Sequence, residues 1–474
     1  MAKKSFPVGL TVVLGLGLLL RLVNLGQSFW LDEASQAQMS SWSAAMIWAD
    51  RAGDFHPPLF YLLAHIWLQF GRSEIWLRTL PLLFGLADIY LLYRLAGKIF
   101  NSRELTLFNR RISLQFLSGL FLALNPFHIY YSQEFRSYSL LSFLGALSMY
   151  LLYTGSFLWL SVVNALLLYT HYSSVFIILA QLTWIFFYRR PQIFSLLRHF
   201  LLSLILYLPW LPQLSAQLQS GINIDAYLPG WRSLLSVSTV KILPLTFFKL
   251  TAGRISFLSG WIYFPYIAFV LACVFAAFRL AKTEKEFLFN WILVPVFAMI
   301  VFSFVFPQNQ PFRVIYVLPG LVLIFVQACA RFPKLFLTLF LYIFLVGNFS
   351  YFTRPRLQRE QWRQAIGFLT ASRSESSATV VKFSDKFSPF YWYAPEFPVV
   401  AAAAHFPARP DETAAALSFL TSGKINQVYV LDYLGDLTDP HREVDQVILD
   451  LGFTRSRTFN FEGVGFIHQY LRQL

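Results

Sequence analysis

The chain has 474 residues, of which 57% are hydrophobic and 18% aromatic, while only 13% are charged. A soluble domain is about one quarter charged and could not bury this much apolar surface, so the composition excludes an ordinary soluble enzyme, a disordered chain and a secreted disulfide scaffold. The formal charge of +14 raises nucleic acid as a partner, and the distribution of that charge along the chain decides the question.

A spanning helix needs about 20 mostly apolar residues. Phe6–Leu25 is the first such run; it follows Lys3 and Lys4 and lacks a small-residue cleavage site, so it reads as an anchor. The loop 26–75 then opens Gln27-Ser28-Phe29-Trp30-Leu31-Asp32-Glu33-Ala34. One carboxylate of this adjacent pair can act as general base on a hydroxyl, with the other orienting it or holding a metal ion. The plainer reading is a solvated helix start, where Asp and Glu are favoured. His56-Pro57-Pro58 introduces Pro58–Phe70, which is apolar but too short to span and reads as an interfacial or re-entrant helix. His56 either binds a phosphate or metal or simply solvates that turn.

Further apolar runs lie near 76–97, 112–127, 138–153, 156–170, 172–188, 198–212, 259–280, 287–306, 313–330 and 334–350, giving eleven expected spans in all. Asp88 and Arg94 fall within or near the second, to pair with each other or line the bundle interior. Residues 125–138, read as a short outer turn, crowd His128, Gln133, Glu134 and Arg136 among Tyr130, Tyr131 and Tyr138. Glu134 and Arg136 form a structural ion pair, or Arg136 holds a phosphate through forked hydrogen bonds. His171 separates two spans, Arg313 opens another, and Lys241, Lys249 and Arg254 lie in a long loop. Each is an anion-site candidate, with snorkelling to headgroups as the alternative, favoured for Lys249 and Arg254. Cys273 and Cys329 both lie in apolar runs, which argues against a disulfide framework.

With the N-terminus inside, the cytoplasmic loops carry 14 Lys/Arg in under 50 residues, and the outer loops about eight in more than 110. An odd span count puts the C-terminus outside. Residues 351–474 hold 13 basic and 13 acidic residues, so the whole excess of positive charge belongs to residues 1–350 and is a topology signal. No nucleic-acid partner is expected. The tail reads as a small α/β domain, with strands at Val380–Phe383 and Gln427–Leu431 and helices at Arg359–Ala371 and Glu412–Leu420. There is no Walker loop, no G-x-G-x-x-G after a strand and no zinc spacing.

The segments FWLDEA, DFHPPLFYLLAHIWLQFGRSEIWLRTLPLLFG, NPFHIYYSQEFRSYSLL, THYSSVFIILAQ, QPFRVIYVLPGL and QWRQAIGFL resemble membrane glycosyltransferases of the GT-C class. The branch they resemble is family 39-like, related to protein O-mannosyltransferases and lipid A aminoarabinose transferases. The resemblance covers most of residues 1–370 and implies a GT-C fold with juxtamembrane helices in the first outer loop, to which the apolar runs add about 11 transmembrane helices; the distal tail carries no motif of the family, and the extracytoplasmic (periplasmic) α/β domain over 351–474 rests on its own pattern and on the span count.

It also implies a chemistry. A polyprenyl-phosphate sugar, such as an undecaprenyl-phosphate sugar, is the donor. Transfer takes place at the outer face with inversion, to a lipid, polysaccharide or protein hydroxyl. Asp32 is the implied base and Glu33 assists. The departing phosphate falls to Arg136 and Arg313, with Arg78 and Lys241 behind them and His56, Glu134 and His171 as further contacts. Some relatives bind a divalent ion; here its ligands would come from Asp32, Glu33, His56 or His171. A bacterial inner membrane is the expected location. A transporter or flippase of a lipid-linked glycan is the runner-up, but transporters favour internal repeats and midplane charges, whereas the polar residues here gather at the outer ends of spans.

Overall fold

The computed structural model of the chain describes residues 8–49, 55–101, 103–107, 109–190, 193–222, 236–255, 260–306 and 309–473. It divides into two compact units. One holds Met1–Leu25, Ala44–Ser215 and Leu235–Leu357; the other holds Gly26–Ser43, Ala216–Leu234 and Gln358–Leu474.

The first unit is built of apolar helices: α1 (Val8–Leu22), then, beyond the helix α2 (Leu31–Ser40) of the other unit, α3 (Ala44–Trp48), α4 (Leu59–Leu68), α5 (Glu74–Phe100), α6 (Leu114–Leu124), α7 (Pro126–Ser132), α8 (Tyr138–Thr154), α9 (Phe157–Thr170) and α10 (Ser174–Tyr188). Later helices include Thr239–Ala252, Gly260–Leu280, Lys285–Phe302, Leu318–Arg331 and Pro333–Thr353. Local chemistry sets their ends. Ser73 and Ser113 accept the N–H of Trp76 and Phe116 and so cap α5 and α6, and Gly155, at φ 77°, closes α8.

Among the described residues, every one of the eleven apolar runs carries a helix, but only six are long and apolar enough to cross a membrane. Val8–Leu22, Leu114–Leu124, Tyr138–Thr154, Phe157–Thr170 and Ser174–Tyr188 are shorter. The short run after His56 is the ten-residue helix α4. Two expectations change. The stretch between the second and third apolar runs, expected as a cytoplasmic loop, includes one strand, β1 (Glu104–Leu107), of an antiparallel hairpin completed by β2 (Arg110–Ser113), with Asn109 in the left-handed region at φ 62°. The outer turn 125–138 contains the helix α7, because Asn125 caps the His128 N–H at 2.9 Å and Pro126 is preset for a first helical position.

In the second unit a five-stranded sheet runs in the order β4-β3-β5-β7-β6, where β3 is Ser377–Val381, β4 Val400–Ala401, β5 Gln427–Leu431, β6 Phe453–Phe461 and β7 Gly465–Arg472. β3 pairs in parallel with β4 and β5, while β7 is antiparallel to both β5 and β6. Alternation along β3 and β5 feeds two cores. Val381 and Leu431 pack with Trp362, Ile366 and Phe390 on one face; Val380, Val428 and Val430 pack with Leu417, Val444 and Ile448 on the other. The expected strand Gln427–Leu431 is β5, whereas the expected Val380–Phe383 overlaps β3 only at Val380 and Val381, and β4 and the β6–β7 hairpin are additions to the expected strands.

Just past β3, the buried Lys382 ammonium lies 3.1 Å from Asp432, 3.1 Å from Asp439 and 2.5 Å from Asp445. Burial alone would lower its pKa, but Asp445, then Asp432 and Asp439, outweigh that and raise it. Asp445 also accepts from the Tyr470 hydroxyl at 2.6 Å. The His468 ring, 3.7 Å away, is the main cause holding Asp432 below the ordinary carboxylate range, with Lys382 adding to it.

Candidate functional site

Within the first unit, four of the expected site residues converge from separate stretches of chain. The Arg136 guanidinium is 3.3 Å from His56 Nε2, and the His56 and His171 rings are 5.8 Å apart. Arg136 and Arg313 both bear electrostatically on His171. Aromatic rings seat these groups: Arg136 lies over Tyr138 at 5.9 Å, Arg313 over Phe312 at 5.9 Å, and Tyr138 packs on Phe312 at 4.8 Å.

His171 is buried, and burial, followed by the nearby His56, Arg313 and Arg136, drives its pKa well below the ordinary value. It is a neutral imidazole. The Ser173 N–H donates to its Nδ1 at 3.1 Å, which leaves the ring proton on Nε2 as a donor. The Ser173 hydroxyl donates to the Arg313 carbonyl at 2.5 Å, tying the loop of His171 to the segment that carries Arg313. Two guanidiniums and a donor imidazole gathered mostly out of water make a site suited to a phosphate.

The segment that delivers Arg136 is fixed from within. Asn125 donates to the Leu250 carbonyl at 2.9 Å, and Gln133 donates to the Arg21 carbonyl at 2.9 Å and accepts from the Tyr351 hydroxyl at 2.9 Å. His128 bridges Asp88, at 3.1 Å, and Arg21, at 2.6 Å. Asp88 therefore pairs with His128 instead of Arg94, and Arg94 donates to Tyr90 at an exposed position. Arg21 was a missed signal: an arginine inside an apolar run needs buried partners.

The remaining candidates of this unit stand elsewhere or in supporting places. Glu134 is buried beside Tyr131, whose phenol is raised well above its usual range by burial first and Glu134 second. Arg78 is buried and donates to the Leu25 carbonyl at 2.8 Å, at the exit of α1. Lys241 is exposed on the helix Thr239–Ala252 and, among the described contacts, is not joined to the cluster. Arg254 is partly exposed; it lies over the Tyr130 ring at 4.7 Å and donates to its hydroxyl. Burial, aided by Arg254, lowers the Lys249 pKa to about 8.

Asp32 and Glu33 lie in the first turn of α2, in the second unit. Glu33 is buried and Asp32 partly exposed. Trp30 offers α2 no side-chain cap; the Leu31 N–H instead donates to Glu360 at 3.0 Å. Nothing in the local sequence of α2 signals that partner. Among the described residues, no group of three His, Cys, Asp or Glu side chains is arranged to hold a metal ion.

A GT-C architecture is what the motifs resemble, and comparison with solved structures bears out that fold. The chain is similar to ArnT from Cupriavidus metallidurans, a lipid A aminoarabinose transferase of the GT-C class, in a crystal structure bound to undecaprenyl phosphate. The TM-score is 0.58 at 13% sequence identity, covering 98% of this chain and 97% of that one. The apo structure of the same protein matches with a TM-score of 0.58 at 12% identity and the same coverage. No family model matches the sequence, and a search of curated proteins finds no match.

Proposed function

We propose that this protein is a membrane glycosyltransferase that moves a sugar from a polyprenyl-phosphate donor to a hydroxyl acceptor at the outer face of the membrane. The observation that carries this reading is the convergence of Arg136, Arg313, His56 and His171 from four stretches of chain. A fold like that of an ArnT bound to undecaprenyl phosphate supports a lipid-phosphate donor.

In this reading Asp32 takes the acceptor's hydroxyl proton as the oxygen bonds to the anomeric carbon. The bond from that carbon to the phosphate oxygen breaks with inversion. Negative charge grows on the departing polyprenyl phosphate, and Arg136 and Arg313 stabilise it, with the His171 Nε2–H as a further donor. Glu33 orients the base. Residues 1–350 act as the catalytic membrane domain and 351–474 as an extracytoplasmic domain, with the N-terminus in the cytoplasm of a bacterial cell.

The test uses purified full-length protein and a panel of undecaprenyl-phosphate sugars, with products followed by mass. Asp32→Asn should abolish transfer while donor-lipid binding persists; near-normal turnover would sink the base assignment. Arg136→Ala should weaken donor binding about tenfold or more, as expected for a charged hydrogen bond of about 1.5–3 kcal/mol. Unchanged affinity would remove the phosphate role.

A further inference from the structure

The first N–H groups of a helix have no partner inside it and need acceptors from elsewhere. Helix α2 lacks the usual local solution, since its N-cap residue is Trp30. The acceptor is brought from far along the chain. Glu360 Oε2 takes the Leu31 N–H at 3.0 Å and the Trp362 indole N–H at 2.7 Å, while Oε1 takes the Tyr433 hydroxyl at 3.3 Å. Gly463, at φ 77°, backs this carboxylate so closely that a Cβ there would stand 2.8 Å from Glu360 Cγ.

The peptide leading into α2 is strapped to the same unit. The Phe29 N–H donates to the Tyr393 hydroxyl at 2.7 Å, and the Ser28 and Gln27 side chains accept the N–H groups of Arg363 and Arg359, each at 2.9 Å. The Ser35 and Ser388 hydroxyls lie 3.3 Å apart. Leu31 adds apolar contact with the core around Trp362. Docking of this kind needs only apolar surface and neutral hydrogen bonds, whereas a carboxylate buried here is costly. Burial pushes the Glu360 pKa up to about 7, against the hydrogen bonds from Leu31 and Trp362 and with a further push from Asp32. The carboxylate grips the N–H of the residue immediately before Asp32, so any change in that bond is passed directly to the Asp32 backbone.

We infer that Glu360 is a positioning residue, whose carboxylate fixes the first turn of α2 and thereby sets where the Asp32 carboxyl stands. This rests on the reading of Asp32 as the base. It gives the C-terminal segment a part in the reaction without any contact of its own with substrate.

The test has two arms on the full-length protein. In the first, Ser35→Cys and Ser388→Cys are introduced together and oxidised; the native Cys273 and Cys329 are buried. Disulfide formation should be fast with Glu360 present and at least tenfold slower with Glu360→Ala. An unchanged rate overturns the inference whether or not any sugar is transferred. In the second arm, Glu360→Ala should lower kcat about a hundredfold, the scale of a misplaced catalytic group, with the donor KM little changed. Oxidising the cysteine pair in that variant should restore most of the loss, because the covalent tie replaces the lost hold. Slow cross-linking in the first arm with no recovery on oxidation overturns the positioning role. Should Glu360→Ala not fold, Glu360→Gln, which keeps one acceptor for the Leu31 N–H, is read in both arms with smaller effects in the same direction. Failure of the base reading is seen separately, as turnover in Asp32→Asn, and leaves the cross-linking result standing.

Discussion

Arg21 and Lys382 are both fully buried cations, and the two units neutralise them in opposite ways. Arg21, in α1, leans on the carbonyls of Gly17 and Ala123, at 2.9 and 3.1 Å, and on His128, which reaches the single carboxylate of Asp88. Lys382 is surrounded by three carboxylates, with Arg442 at 3.9 Å from Asp432 and 4.0 Å from Asp445. Among apolar helices every added carboxylate is an expensive ion, so main-chain carbonyls and a neutral ring serve as partners. In the α/β unit the excess acid is tolerated because Asp432 and Asp445 keep 14% and 10% of their side chains in water and Arg442 adds a second cation beside them. Buried charge in the first unit is therefore held mainly by hydrogen bonds, and in the second mainly by ion pairing.

The sharpest way to break this contrast is Lys382→Met. It leaves three carboxylates facing one another, and stability of the tail should fall by about 3–5 kcal/mol, read as protease sensitivity and a lower unfolding midpoint. Asp88→Asn should cost less, about 1–3 kcal/mol, because the amide keeps an acceptor for Ser142 or His128 and only the charge is lost. Equal losses in the two variants would show that Arg21 depends on ion pairing as much as Lys382 does. The smallest effect concerns Glu360, a half-buried acid of the tail that has no cation among its described hydrogen-bond partners. Its folded pKa, about 7, lies above its ordinary 4.5, so the fold favours the protonated form. That contribution to stability is full below about 4.5 and is lost as pH rises through about 7. Asp32 and Tyr433 are the titratable groups bearing on it. The tail's unfolding midpoint should rise on acidification across that window, and Glu360→Gln should flatten the rise; an identical slope in the variant would assign it to another group.

Much of the first unit was legible because its information is local. An apolar run of helical length has few alternatives once its backbone must satisfy itself, and the Asn125-Pro126 pair that starts α7 is a signal the local sequence already carries. The six apolar runs that give long helices and the five that give short ones look alike as strings of hydrophobic residues. In the tail, β5 stands out by its Val428–Leu431 apolar run and β3 only by Val380 and Val381 at its end, whereas β6, in which Thr454, Arg455, Ser456 and Arg457 are exposed, does not advertise itself without its partner β7. Of the candidate site, the residue types are legible, because polar residues at the ends of apolar runs are few; that Arg136, His56, His171 and Arg313 meet while Lys241 stands apart is not.

The sequence by itself determined that the chain has the composition of a membrane protein, that its excess of positive charge is confined to residues 1–350, and where its scarce polar residues fall among the apolar runs. These follow from composition and periodicity, which depend on neighbours in the chain. Only the tertiary structure decided who meets whom: that Asp88 serves His128 and not Arg94, that Arg254 sits on Tyr130, that Ser173 fixes the proton of His171 on Nε2, and that Glu360 caps the helix of Asp32. Apart from the Ser173–His171 bond, which joins near neighbours, each of these is a hydrogen bond or ring contact between residues remote in sequence, and such a contact leaves no periodic trace in the chain that makes it.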